Sequence, residues 1–224
     1  RDRYNHMFKY LYPFIIVITI GNLAFASPIP PAPNLNVKAY VLMDFDSGMI
    51  LASSNKDLTL PPASITKMMT AYLAFTELNE NNVSLSEDIL VSKKAWKTGG
   101  SKMFIEVGKK IKFKDILQGV ITVSGNDASV ALAEHISGDE NTFAIYMNQM
   151  AKNIGLVNTN YTNATGLPND SLYTTAEDIA LLSRSLISNF PDLYKLYSTK
   201  SFKFNDIKQY SRNKLLFIDD NVDG

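Results

Sequence analysis

The sequence has no cysteine, which excludes disulfides, thiol nucleophiles and zinc–thiolate sites and leaves the redox compartment unread. Histidine is nearly as scarce. Of the two present, His6 lies ahead of Met7. His135 sits in "DASVALAEHISG", where small and apolar residues recur at helical spacing and a lone imidazole reads as structural. A Ser-His-Asp hydrolase and a histidine metal site are therefore disfavoured, and neither a metal nor a cofactor is expected. A nucleophilic serine would need another base, for which lysine is the candidate. Charge of one sign is not in excess either. Lys+Arg and Asp+Glu each number 22, so nothing points to a nucleic-acid partner.

Long hydrophobic runs are also missing. The longest, "YLYPFIIVITI" from Tyr10 to Ile20, falls short of the roughly 20 apolar residues that cross a membrane and is followed by Gly21-Asn22. Preceded by Met7 and Lys9 and followed by Ala24-Phe25-Ala26, it has the three parts of a secretory signal peptide. The expected division is residues 1–6 as upstream translation or a fragment boundary, 7–26 as signal, 27–34 ("SPIPPAPN") as a proline-rich extended linker, and 35–224 as one domain. Cleavage after Ala26 would leave an exported, slightly acidic chain. With 46% hydrophobic and 20% charged residues, that chain can bury a globular core.

The pattern within the domain runs from strands to helices and back. "VKAYVLMDFDSGMILASSN" predicts two strands around Asp46-Ser47-Gly48, with Lys56-Asp57 as solvated loop charge beyond them. From Ala63, Ile65, Met68, Met69, Tyr72, Leu73 and Phe75 recur at helical spacing. Ile89–Ser92 and "VGKKIKF" predict short strands. Further helices are predicted at Lys114–Val123, from Asp127 to about Ile136, and in "TFAIYMNQMAKNIG", with Gly155 as its C-cap. "TTAEDIALLSRSLIS" opens with a capping box of Thr174 and Glu177. "KSFKFND" and the stretch at 215–218 look extended. This order predicts an α+β domain in which the first strands join later ones in an antiparallel sheet with helices packed on it.

Ser-x-x-Lys occurs three times, at Ser53/Lys56, Ser64/Lys67 and Ser211/Lys214, and context must choose between them. Ser64 stands apart because it follows Pro61-Pro62-Ala63 and opens a buried helix, whose unpaired N–H groups favour negative charge. Lys67 returns to the same face one turn later. Burial beside Met68, Met69 and Tyr72 would favour its neutral amine, which can act as a general base toward a serine hydroxyl. Taken alone, the pair also reads as a helix cap with a lysine reaching to solvent. "SGN", Ser124 to Asn126, shifts the balance: it is a polar interruption between two apolar helices. Ser124 could relay a proton from Lys67 to a leaving amine, and Asn126 could hold a substrate amide by its donor and its acceptor.

These residues, with "GGSKMF", "MNQMAKNIGLVNTNYTNATGLP", "YTTAEDIALL" and "NVDG" in the same order, resemble the low-molecular-mass penicillin-binding proteins. These are the serine D-alanyl-D-alanine carboxypeptidases of peptidase family S11, and the resemblance runs from about Val37 to the end. It implies a β-lactamase/transpeptidase-like fold, with Ser64 as acyl-enzyme nucleophile, Lys67 as general base, and Ser124 and Asn126 as the second motif. It also implies a peptidoglycan stem peptide as substrate, β-lactams as covalent inhibitors and a periplasmic location at the inner-membrane surface. The family's third motif, a Lys-Thr-Gly strand, and its C-terminal membrane anchor would follow a segment like "NVDG". The chain ends at Gly224, so the expectation is a carboxypeptidase cut before its last catalytic strand and inactive by itself. Related D,D-endopeptidases and a non-catalytic peptidoglycan-binding piece stay open as alternatives. A class A β-lactamase would carry Ser-Asp-Asn and a Glu-x-x-Leu-Asn segment, which is not found beyond Asn126.

Overall fold

The computed structural model describes residue 32 and residues 34–224; the expected signal peptide and nearly all of the proline-rich linker lie outside them. All elements below belong to one compact unit, Asn36–Gly224. Strands β1 (Tyr40–Met43) and β2 (Ile50–Ser54) pair antiparallel, with Tyr40 opposite Ser54 and Met43 opposite Ile50. In the turn between them Asp44 accepts from the Ser47 N–H at 2.9 Å, the local side-chain bond that makes aspartate a turn former.

Helix α1 (Lys67–Asn79) is the axis of the domain. Met69, Ala71, Leu73, Ala74 and Phe75 are all fully buried, and only its C-terminal end, around Thr76–Asn79, turns toward solvent. It is enclosed by α3 (Phe113–Val123), α4 (Asn126–Ser137), α5 (Glu140–Ile154) and α6 (Ala176–Asn189), and the short α2 (Lys93–Lys97) packs on α4. Helix α7 (Pro191–Tyr194) follows α6 directly. Tyr72 and Phe75 of α1 meet the ring of Phe190 edge-on, at centroid distances of 5.0 and 5.6 Å, a geometry favoured by the ring quadrupoles. His135 makes a 2.6 Å contact with Glu87 and lies against the Phe113 ring, a structural placement.

The α+β class is observed, but four expectations need correction. The strands do not merge into one sheet: among the described residues they form three two-stranded ribbons, β1–β2, β3 (Asp88–Leu90) with β4 (Lys110–Lys112), and β5 (Ser201–Phe204) with β6 (Ile207–Tyr210). Helix packing separates them. Arg184 of α6 holds the first ribbon by donating to the Phe45 and Asp46 carbonyls, whereas β5 and β6 lie on α3. The segment at 215–218 is not extended; Lys214–Phe217 is a 3-10 turn begun by Asn213, whose side chain accepts from the Leu215 N–H at 3.0 Å. Lys56 is not free loop charge, since its amine bridges Asp57 and Glu177.

The N-cap of α6 is Thr175, not Thr174. Thr175 accepts from the Asp178 N–H at 3.1 Å. Thr174 is held one residue outside the helix by backbone bonds in both directions with Leu60, and its hydroxyl meets that of Thr159 at 2.8 Å. Thr175→Ala should therefore cost about 1 kcal/mol of stability, read as a lowered urea midpoint with an unchanged slope. A neutral result would place the helix start elsewhere.

Candidate active site

The isolated antiparallel bridge between Leu60 and Thr174 fixes the chain where it leads into Pro61-Pro62. Proline cannot continue a strand ladder or donate an N–H, so the chain breaks there. Ala63 then takes a left-handed φ of 46°, and Ala63–Thr66 winds into a single 3-10 turn ahead of α1. Ser64 sits on that turn with its side chain exposed. It caps neither the turn nor α1, because no side-chain cap bond forms at either start. Its hydroxyl instead lies 3.3 Å from the Lys67 amine.

Lys67 is only 5% exposed, so it does not reach out to solvent. Its Nζ donates to the Asn126 Oδ1 and to the Thr165 carbonyl, both at 2.7 Å. Burial pushes its pKa down from the usual lysine value to about 8, while the negative charge of Asp127 pulls the other way. At about pH 7 such an amine is still mostly protonated, but roughly a tenth of it is neutral, far more than of an ordinary lysine. A neutral amine has two hydrogens and one lone pair. Asn126 and Thr165 take both hydrogens, so the lone pair is left for the third neighbour, Ser64 Oγ.

Asn126 is the first residue of α4, and its side-chain amide and backbone N–H each bond to the protein. Its backbone N–H donates to the Ser101 carbonyl at 2.8 Å and its Nδ2 to the Gly99 carbonyl at 2.7 Å. One Nδ2 hydrogen thus serves Gly99 and one Oδ1 lone pair serves Lys67; an amide has a second of each, the capacity a substrate amide would use. Ser124 ends α3 with a left-handed φ of 58°. Its hydroxyl oxygen is buried with no hydrogen-bond partner. Buried polar atoms are nearly always paired; the Ser124 hydroxyl, two residues before Asn126 in the chain, keeps its hydrogen and lone pairs uncommitted within the protein.

The other two Ser-x-x-Lys pairs are different. Ser53 is exposed and Lys56 is committed to acidic partners, while Lys214 is exposed. Among the described residues no group of three or more His, Asp or Glu could hold a metal.

Sequence reasoning missed two contributors. One is the Thr165 carbonyl, which has no residue-type signature. The other is the tight loop that presents it: the Asn163 Oδ1 accepts from the Thr165 and Gly166 N–H groups at 3.1 and 2.7 Å. The Asn-x-x-Gly spacing was the available signal, since asparagine side chains close such turns and glycine accepts the left-handed conformation. Gly166 adopts a φ of 80°, and a Cβ there would fall 1.8 Å from the Ala63 carbonyl oxygen. Only a residue without a side chain lets this loop touch the turn that carries Ser64.

Comparison with known proteins gives a consistent result. The family described as D-alanyl-D-alanine carboxypeptidase, peptidase S11, matches residues 26–224. The chain is 42% identical over 196 residues to the D-alanyl-D-alanine carboxypeptidase DacA of Haemophilus influenzae, covering 86% of this chain and 50% of the relative. It is 40% identical over 200 residues to DacC of Escherichia coli, with the same two coverages. It therefore spans about half the length of the curated relatives it matches. Among solved structures, penicillin binding protein 5 of Haemophilus influenzae superposes with a TM-score of 0.83 at 41% identity, over 84% of this chain and 56% of that one. Penicillin-binding protein D2 of Listeria monocytogenes in its cefotaxime-bound form gives 0.77 at 28% identity, over 87% of this chain and 80% of that one. The fold is that of the penicillin-binding proteins.

Proposed function

The chain belongs to the D-alanyl-D-alanine carboxypeptidase family, peptidase S11, and on that premise we propose that it carries the acyl-transfer site of a serine D,D-carboxypeptidase. The substrate class is a peptidoglycan stem peptide ending in D-Ala-D-Ala. The observation that supports this most directly is the Lys67 amine, with both hydrogens of its neutral form occupied and Ser64 Oγ as its remaining neighbour.

In this reading Lys67 takes the Ser64 proton as Oγ attacks the carbonyl carbon of the penultimate D-alanine. The tetrahedral intermediate collapses by breaking the C–N bond. The proton passes from Lys67 through the Ser124 hydroxyl to the departing nitrogen, and D-alanine leaves. Water then attacks the ester, and Ser64 recovers its hydroxyl hydrogen. Asn126 holds the Lys67 amine in place between Ser64 and the Gly99 carbonyl. A β-lactam would follow the first half of this path, but its leaving nitrogen stays tethered to the acyl group and remains beside the ester. Export through a signal peptide at residues 7–26, a periplasmic location, a membrane-surface anchor and a role in cell-wall shape belong to the same proposal. No helix among the described residues is long and apolar enough to cross a membrane.

The test is D-alanine release from a D-Ala-D-Ala-terminated peptide, together with covalent labelling by a fluorescent penicillin, both on the full-length protein. Labelling without D-alanine release, but with cleavage of a cross-linked dimer, would favour an endopeptidase; neither reaction would leave only a binding role. A pH profile adds a mechanistic check. The base must be unprotonated to accept the serine proton, so the acylation rate should rise with pH through about 8, where burial sets the Lys67 midpoint. A rate that stays flat between about pH 6 and 9 would remove Lys67 from the role of base.

A further inference from the structure

One buried carboxylate lies next to the site without belonging to either serine motif. Asp127, in the first turn of α4, is 1% exposed. Its Oδ1 accepts from the Met103 N–H at 2.8 Å and the Ala128 N–H at 2.9 Å. Its Oδ2 accepts from Phe104 at 2.9 Å and Ile105 at 3.3 Å. Both oxygens are thus spent on backbone hydrogens, three of them from one segment. That segment, 98–105, contains no helix or strand. It has no ladder to satisfy its N–H groups, and buried N–H groups without a partner are costly. Phe104 is held there at a left-handed φ of 68°, a conformation that costs a non-glycine residue roughly 1–2 kcal/mol and persists only where its surroundings enforce it.

The same segment carries the two carbonyls that grip Asn126. Gly99 accepts from Nδ2 at 2.7 Å and Ser101 from the backbone N–H at 2.8 Å. The Gly99 contact decides which way the amide faces. With Nδ2 bound to Gly99, Oδ1 points at the Lys67 amine, 2.7 Å away; the reversed amide would present hydrogens to hydrogens. The contacts run unbroken from the Asp127 carboxylate to the 98–105 loop, from the loop to the Asn126 amide, from that amide to the Lys67 amine, and from Lys67 to Ser64.

We propose that Asp127 is a positioning residue for acyl transfer: by gathering the Met103, Phe104 and Ile105 N–H groups it fixes the loop whose Gly99 and Ser101 carbonyls orient Asn126, and through Asn126 the Lys67 amine. It touches no reacting atom. The proposal rests on the acyl-transfer reading of Ser64 and Lys67.

Asp127→Asn is nearly isosteric, but it turns an acceptor oxygen into an NH2 that faces N–H donors. In the full-length protein this should release the loop and, by removing a negative charge that raises the Lys67 pKa, lower the Lys67 midpoint further. Acylation rates are therefore compared on the plateau above that midpoint. Two measurements separate positioning from mere support of the loop. The first is hydrogen exchange of the Met103 and Phe104 backbone amides and of the Asn126 side-chain amide; all three should exchange faster. The second is acylation by a fluorescent penicillin. Its maximal rate should fall roughly 100-fold, the order expected from a misplacement of about 1 Å, while the penicillin concentration giving half-maximal rate stays near its original value.

Faster exchange at Met103 and Phe104, with the Asn126 amide and the maximal rate unchanged, would make Asp127 a loop anchor only and overturn the proposal. If the unsubstituted protein is not acylated at Ser64, the functional reading fails by itself, and the Asn126 exchange still decides whether the relay exists. Asp127→Ser, a smaller acceptor whose single hydroxyl hydrogen can rotate away from the backbone donors, serves as the second variant. Loss of cooperative unfolding in both would assign Asp127 to the fold and equally overturn the proposal.

Discussion

Ser64→Ala in the full-length protein is expected to abolish covalent capture of penicillin while leaving the unfolding transition in place. The substitution removes one hydroxyl from an exposed turn position whose side chain caps nothing, so stability has little reason to change. Lys67→Ala should slow acylation by about 100- to 10,000-fold, the usual contribution of a positioned general base. It should also erase the rise in rate through about pH 8 that follows from the Lys67 midpoint. The two variants differ in what remains. Without Ser64 there is no atom to acylate, whereas without Lys67 the serine stays in place as a poor nucleophile. Mass spectrometry of the labelled protein decides the assignment. An adduct on another serine of the Ser64→Ala protein would refute it.

The largest effect on stability is expected at Gly166. Gly166→Ala would place a Cβ 1.8 Å from the Ala63 oxygen, 2.4 Å from its carbonyl carbon and 2.9 Å from Thr66 Oγ1. Two of these atoms are backbone and cannot rotate aside. A left-handed alanine costs roughly 1–2 kcal/mol, and overpacking typically adds 1–3. The combined loss of about 2–5 kcal/mol is large against the roughly 5–15 kcal/mol that holds a domain folded. The nucleophile should suffer as well, because the displaced Ala63 precedes Ser64 on the same turn. Gly155→Ala is the matched control: its φ of 90° is equally left-handed, but a Cβ there meets nothing within 4 Å. Urea denaturation should show a clearly smaller loss at 155, with acylation kept. Equal losses at the two positions would mean that backbone strain alone, and not contact with the Ser64 turn, makes glycine necessary at 166.

Much of the helical framework was legible because it repeats locally. The apolar positions from Met68 to Phe75 recur every three or four residues, and the structure buries that helix on nearly every side. Ile65, read into the same run, instead lies exposed on the 3-10 turn ahead of it. Gly155 ends α5 in a left-handed conformation, as glycine after a periodic run suggests. The misreadings have local causes too. Thr174 and Thr175 are chemically identical caps, and the choice between them came from Leu60, which pairs with Thr174 across the fold. Leu215–Ile218 is a short apolar run, and such runs do not distinguish a strand from a turn of helix. The merging of strands into one sheet rested on element order, which carries no information about which helix surface each ribbon covers.

For the site, the sequence by itself determined that Ser64 and Lys67 share one face, because three residues span one helical turn. It also set Asn126 in a polar break directly ahead of a helix. Only the tertiary structure decided that Lys67 is enclosed rather than extended into solvent. It decided as well that Asn126 faces Lys67, that the Thr165 carbonyl takes the second hydrogen of the amine, and that Asp127 ties down the loop that orients Asn126. The physical reason is the identity of the partners. Residue type and spacing write side-chain chemistry into a sequence, but backbone carbonyls and N–H groups are the same at almost every position. Which of them meet a lysine, an amide or a carboxylate depends on packing between segments far apart in the chain.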